Sequence, residues 1–325
     1  YHGGSAFVCV VKMGRLLFLW VMISNACLAG QSVSENGHCV VFRYQHISDD
    51  APGIISVTPA QFQAHLDYLI EQDFNVIALT ELVSHLELGK PFPDRCATLT
   101  VDGAFASTYE QAYPRTQAAE LPLTVFISTE AVDAAVDGVM TWSQIREMHA
   151  NGVSIQNLSH SHRHLIQIDD GEDPDDWEQR VAFDIQIAQS LIQDQLGYRP
   201  TLFAYPFGEF NAALQDIISS MGLTAFGQQS GAIWLQADPS ALPRFSLASF
   251  GAEMRPFMRK ADARPLPIVG AFPRDPIVPT DQDRPVLTLI FTPDADLQQE
   301  LTCLINGAPG VVTEWLDHPD HAVAL

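Results

Sequence analysis

From residue 39 onward, short and almost wholly apolar runs alternate with longer segments whose apolar residues recur every three or four positions. The first pattern reads as strands buried on both faces and the second as amphipathic helices. Strands are predicted at 39–44, 75–79, 97–102, 123–128, 153–158, 202–205, 224–226 and 244–247, and helices at about 59–72, 82–88, 107–119, 142–150, 177–196 and 212–221. The helix near 59 opens on a capping box, Thr58 to Gln61, with Pro59 at its first position. Its residues Phe62, Leu66, Leu69 and Ile70 fall on one face. Asn151-Gly152 ends one helix and Gly197-Tyr198-Arg199-Pro200 another, the latter following an acidic loop at 168–176. Repeated strand–helix units imply parallel strands covered by helices, in a barrel or an open doubly wound sheet. A barrel places chemistry at the carboxyl ends of its strands, where Gln45, His46, Asp102, His160, His162 and 206–208 fall.

Beyond this repeat the character changes. Pro256, Pro265, Pro267, Pro273, Pro276, Pro279 and Pro285 predict an extended linker over 251–285, followed by a small β segment at 286–325 that is cut short, with strands at 286–291 and 302–305. At the other end the chain opens on Tyr1, so 1–12 is expected to be a non-native upstream segment with Met13 as initiator. Gly14-Arg15, the apolar run 16–23 and the small residues 25–30 then read as a signal peptide over 13–30, too short for the roughly 20 apolar residues of a membrane span. The expected location is therefore periplasmic or extracellular.

Composition narrows the partners. Against 39 acidic residues the chain carries 17 Lys and Arg, a net charge of −22, which argues against nucleic acid because phosphate contacts need clustered cations. Removing 13–30 and what precedes it leaves Cys39, Cys96 and Cys303, an odd set without CxxC spacing that excludes a structural zinc cluster. Cys39 and Cys96 each open a predicted strand; buried free thiols are expected, with a disulfide open to them if the strands are neighbours.

Two strand ends carry candidate chemistry. Asp102 closes an apolar strand, where a carboxylate must be paired, metal-bound or facing a cleft. Three histidines, His160, His162 and His164, open the loop after the strand near 153–158, and two histidines with a carboxylate and water form a common hydrolytic zinc arrangement. The segment Tyr205-Pro206-Phe207-Gly208 is a tight strand exit that could wall a groove.

Several segments, in order, resemble the polysaccharide deacetylases of the NodB-homology type. FRYQHISDD (42–50) resembles the opening YHH segment, and LTVDGAFASTYEQAYP (99–114) the TFDDGY motif. GVSIQNLSHSHRHL (152–165) is similar to the strand ending in H-S/T-x-x-H, FAYPFGEFN (203–211) to FxYPYG, and ALPRF (241–245) to the late arginine strand. The resemblance covers about 38–250 and implies a deformed (β/α) barrel with the Pro-rich and β appendage behind it. It implies an exported hydrolase of carbon–nitrogen bonds that removes acetyl groups from N-acetylglucosamine-type polysaccharide with a divalent metal, zinc or similar. Carried over, Asp102 is the general base, Arg244 orients it, His162 is a metal ligand beside His160 and His164, and His46, Tyr205, Pro206, Phe207 and Trp142 line the substrate groove.

The departures are specific. In ungapped register Gly103 stands at the metal-binding Asp, Leu158 at the first metal His and Gln45 at the first His of the opening motif. A shift of two residues would let His160 and His164 stand in without changing which face side chains occupy, yet Gly103 would still lack a carboxylate. Three readings stay open: weak hydrolysis through a rearranged ligand set, a protein that binds carbohydrate without catalysis, and a decaying or incomplete gene product, suggested by the start on Tyr1 and the abrupt end.

Overall fold

The computed structural model describes residues 7–11, 37–277, 286–292, 301–305, 314–315 and 322–324, so the expected signal peptide at 13–30 lies outside the described residues. Residues 37–265 form one compact unit. Its principal strands are β1 (Cys39–Tyr44), β2 (Cys96–Asp102), β3 (Thr124–Ile127), β4 (Ser154–Asn157), β5 (Leu202–Ala204), β6 (Thr224–Phe226) and β7 (Phe245–Ser246). They pair in parallel in the order β6-β5-β4-β3-β2-β1-β7, with a short strand Asn75–Val76 on the start of β2. The sheet curls until Leu242, just before β7, bridges Phe226 of β6 in parallel. The result is the deformed (β/α) barrel, with strands solidly buried; every residue of β2 is inaccessible or nearly so.

The helices cover this sheet as their patterns dictate. Helix α1 (Pro59–Glu71) carries the expected capping box, with Thr58 and Gln61 satisfying each other's backbone N–H. Phe62, Leu66 and Leu69 are buried, but Ile70 is 49% exposed, and His65 takes the place expected for it. His65 is neutral by construction: its Nε2–H donates to the Ala252 carbonyl (2.8 Å), leaving Nδ1 to accept from the Tyr44 hydroxyl (3.1 Å). Burial pushes its pKa down to about 4. Because the folded value lies below the unfolded one of about 6.5, this group's stabilising effect is complete above that pH and is lost as pH falls towards 4. Unfolding free energy is expected to drop by roughly 2–3 kcal/mol from this group between pH 7 and about pH 4.5, read by denaturant titration at both pH values. A His65→Gln chain whose pH slope equals the parent's would contradict this.

Three segments depart from expectation. Leu79 begins helix α2 (Leu79–Leu88) rather than ending a strand, because only Asn75–Val76 finds a partner. The stretch after Asp102 enters its helix through a π-type turn, Thr108–Ala112, before α3 (Tyr113–Ala118). The Pro-rich segment expected to be extended over 251–285 instead holds a helix, Met254–Ala261, and a strand, Ile268–Phe272. Pro256 is the third residue of that helix, where its missing N–H would have had no partner in any case.

Cys39 and Cys96, expected as free thiols, are joined in a disulfide that closes a loop of 57 residues. The cause is register: the two residues are direct partners at the start of β1 and β2.

The second unit comprises residues 1–36 and 266–325. In it Ile268–Phe272, Thr288–Phe291, Ala322–Ala324 and Glu314–Trp315 pair antiparallel in that order, and Phe7–Val11 pairs antiparallel with Leu301–Ile305. Among the described residues no helix is long and apolar enough to cross a membrane.

Candidate active site

Asp102 stands at the carboxyl end of β2, 4% exposed, between two arginines. Arg244, wholly buried, grips it in bidentate fashion, Nη1 to Oδ1 at 2.6 Å and Nη2 to Oδ2 at 2.8 Å. From the neighbouring strand β1, Arg43 donates Nε to Oδ2 at 2.7 Å. The β1–β2 register makes this contact inevitable in kind, since Arg43 is paired with Thr100, two residues before the carboxylate on the same face. Arg244 is held in turn by the Gly227 carbonyl, which accepts from Nε at 2.9 Å, and by the Phe126 ring beneath its guanidinium. Burial alone would push the Asp102 carboxyl up; the charges and hydrogen bonds of Arg244 and Arg43 override it and hold the group below its ordinary value.

Arg43 lies outside the candidate residues that the motifs point to. Its signal was present, a lone charge in an apolar run buried on both faces, which demands a counter-ion.

Next along the chain Gly103 has φ +100°, a left-handed conformation that L side chains rarely adopt. A Cβ there would lie 2.4 Å from Cε2 of Phe105. The Phe105 ring thus fills the space a carboxylate would enter, and it lies against His46 in a tilted contact with centroids 3.7 Å apart.

The histidine loop does not converge. Leu158 is 1% exposed and packs in an apolar cluster with Phe126, Leu202, Ala204 and Phe226. After it the chain turns sharply, with Ser159 and His162 both at positive φ. The turn is held by Asp184, whose carboxylate accepts from the backbone N–H groups of His160 (3.0 Å) and Ser161 (3.1 Å). The His160 imidazole pairs with the Thr129 hydroxyl at 2.8 Å. His164 donates Nδ1–H to Glu209 at 2.7 Å and stacks on Phe207 at 4.1 Å. Among the described residues the ring nitrogens of His162 make no hydrogen bond; its ring leans on Phe207 at 4.8 Å. Burial lowers its pKa, against the pull of Asp102, and Arg43 and His164 push the same way as burial.

Of the expected groove residues, Phe207 is 45% exposed, while Trp142 is half-buried and donates its indole N–H to Asp133 at 2.7 Å. Tyr205 and Pro206 do not line a groove. Both are buried, and the Tyr205 hydroxyl donates inward to the Ser240 carbonyl at 2.8 Å. Gln45 accepts from Arg43 Nη2 at 3.3 Å.

The residues present do not fit the divalent metal that the motifs imply. One carboxylate position is a glycine under a phenyl ring, one histidine position is a core leucine, and Asp102 spends both oxygens on arginines. Among the described residues no three of His, Cys, Asp and Glu gather as a ligand cluster. Restoring the formal ligands by Gly103→Asp with Leu158→His is therefore expected not to create zinc binding. It should instead cost about 2 kcal/mol or more, from the collision with Phe105 and a polar ring in an apolar cluster. Zinc calorimetry and denaturant unfolding of the double variant read both; tight zinc binding in a chain as stable as the parent would contradict the geometry.

Comparison with known proteins gives consistent likenesses. Residues 89–226 match the family model for polysaccharide deacetylase, a span that includes Asp102 and the histidine loop but neither arginine. The poly-beta-1,6-N-acetyl-D-glucosamine N-deacetylase of Escherichia coli is 20% identical over 275 residues, covering 74% of this chain and 41% of that protein. The protein of the same name from Staphylococcus epidermidis is 22% identical, covering 60% and 68%. The chain thus spans about two fifths of the Escherichia coli relative. Among solved structures, Streptococcus pyogenes deacetylase PplD superposes with a TM-score of 0.62 at 17% identity, covering 70% of this chain and 99% of that one. IcaB from Ammonifex degensii gives 0.62 at 19%, covering 70% and 97%. At these identities the superpositions show a shared fold.

Proposed function

Since residues 89–226 make this chain a member of the polysaccharide deacetylase family, we propose that it is an exported, catalytically silent member that holds N-acetylated polysaccharide at the mouth of the barrel without hydrolysing it. The observation that carries this reading is the state of Asp102. A general base must be free to accept a proton near the working pH. Here the carboxylate is held down by two guanidinium groups, and taking a proton would mean breaking a charge-assisted bond to one of them.

Binding surface remains where hydrolytic machinery is missing. The exposed face of Phe207, braced by His164, and the tilted Phe105–His46 pair offer aromatic planes of the kind that pack against apolar faces of ligands. The names of the Escherichia coli and Staphylococcus epidermidis relatives point to N-acetylglucosamine polymer as the class to try. The Cys39–Cys96 disulfide supports export, because such bonds persist in oxidising compartments.

Calorimetry with β-1,6-linked N-acetylglucosamine oligomers, alongside an assay of released acetate, tests the reading. Saturable binding that weakens about tenfold in Phe207→Ala, without acetate release, is expected. Catalytic acetate release that Asp102→Asn abolishes would overturn it.

A further inference from the structure

The fixed charges inside the barrel mouth do not balance. Arg43 and Arg244 contribute two positive charges and Asp102 one negative, leaving one positive charge over. A third cation stands close by: Lys260 donates Nζ to the Ser246 carbonyl at 2.8 Å, while Arg43 Nη1 donates to the hydroxyl of the same serine at 3.2 Å. Burial pushes the Lys260 ammonium down to about 8, so it remains mostly charged at neutral pH. On the histidine-loop side of the mouth two carboxylates are already engaged, Glu209 with His164 and Asp184 with the backbone N–H groups of His160 and Ser161. In a chain of net charge −22 this is a local excess of the opposite sign.

Among the described residues the terminal nitrogens of Arg43 meet only neutral acceptors. Besides Ser246, Nη2 donates to Gln45 Oε1 at 3.3 Å and, with the Gln228 amide turned to face its donors, to Gln228 at 3.2 Å. These are long bonds to amide oxygens. A carboxylate in their place would be shorter and roughly twice as strong. Arg43 still reaches solvent, with 11% of its side chain exposed.

We infer that the mouth is an anion subsite, in which Arg43 Nη2 takes the carboxylate of an acidic sugar residue by displacing the amide oxygens of Gln45 and Gln228. This rests on the reading of the site as glycan-binding without hydrolysis, and it adds to the N-acetylated polysaccharide proposed above an acidic residue that the mouth holds. Where the motifs imply a cation held by carboxylates, the charge is reversed and the ligand reverses with it.

The test is calorimetric titration of the whole chain with sodium glucuronate, glucose and sodium acetate at low ionic strength. Glucuronate is expected to bind at least about tenfold more tightly than glucose and than acetate, with the preference over glucose fading at about 0.5 M salt. Arg43→Gln should abolish the preference. Since that variant removes part of a buried ion cluster and can unfold, Gln45→Glu provides the second arm. It sets a carboxylate of the chain's own against Nη2, and should weaken glucuronate about tenfold while raising the melting temperature. Equal binding of glucuronate and glucose, or a Gln45→Glu chain that binds glucuronate as the parent does, overturns the inference. Acetate binding as tight as glucuronate would reduce the subsite to a bare carboxylate site and overturn the sugar assignment. Release of acetate from N-acetylated oligomers is a separate outcome, which defeats the reading beneath it.

Discussion

Asp102→Asn is expected to destabilise the folded chain by about 3–5 kcal/mol, the cost of leaving a buried charge pair with one partner removed. The size follows from what the carboxylate does. It accepts three charge-assisted bonds from Arg43 and Arg244, and Arg244 is wholly buried with no other anion among the described residues. An amide can satisfy part of this geometry but none of the charge. Replacing all three residues with apolar ones of similar volume should recover much of the loss, since buried ion clusters often contribute little beyond their own neutralisation. The acid limb gives an independent check: a carboxyl held below its ordinary value stabilises at every pH above the unfolded value, and that contribution is lost only as pH falls through the lower folded one. Denaturant unfolding of parent, single and triple variants measures the effect. A single variant within about 0.5 kcal/mol of the parent would mean the carboxylate is free enough to serve as a base.

Loss of the disulfide is the other large effect. Cys39→Ala with Cys96→Ala should cost about 2–4 kcal/mol, because the bond closes a loop of 57 residues in the unfolded chain. Both cysteines also lie in the apolar core beside Val41, Leu82 and Phe92, so the alanines remove some packing as well. Unfolding of the parent with and without reductant should reproduce most of the difference. A reduced parent as stable as the oxidised one would show that the cross-link constrains nothing.

The barrel was legible from the sequence because parallel strands buried on both faces leave continuous apolar runs, as in β1, β2 and β3. The capping box at Thr58 fixed a helix start by local chemistry alone. What failed depended on partners distant in the chain. His65 was passed over for Ile70, since periodicity ranks residues by polarity and cannot see that Tyr44 and Ala252 satisfy a buried imidazole. Tyr205 was read as a groove wall for the same reason, its hydroxyl partner Ser240 lying 35 residues away. The disulfide followed from a register between strands that no local pattern encodes.

The candidate site divides in the same way. The absences at Gly103 and Leu158 could be read directly from spacing. That Phe105 fills the space over Gly103, that His160 and His164 are drawn off to Thr129 and Glu209, and that Arg43 completes the clamp on Asp102 all needed the fold. Together they turn a count of missing ligands into a site with a different occupation.

Asp102 belongs to its two arginines, and among the described residues no ligand cluster surrounds it. Titration of the purified chain with zinc at about pH 7, followed by calorimetry, tests it most directly. The expected result is no saturable heat up to about 100 μM zinc, because His162 alone cannot retain the ion. A one-site isotherm in the micromolar range or tighter, abolished by Asp102→Asn and by His162→Ala in folded chains, would contradict it.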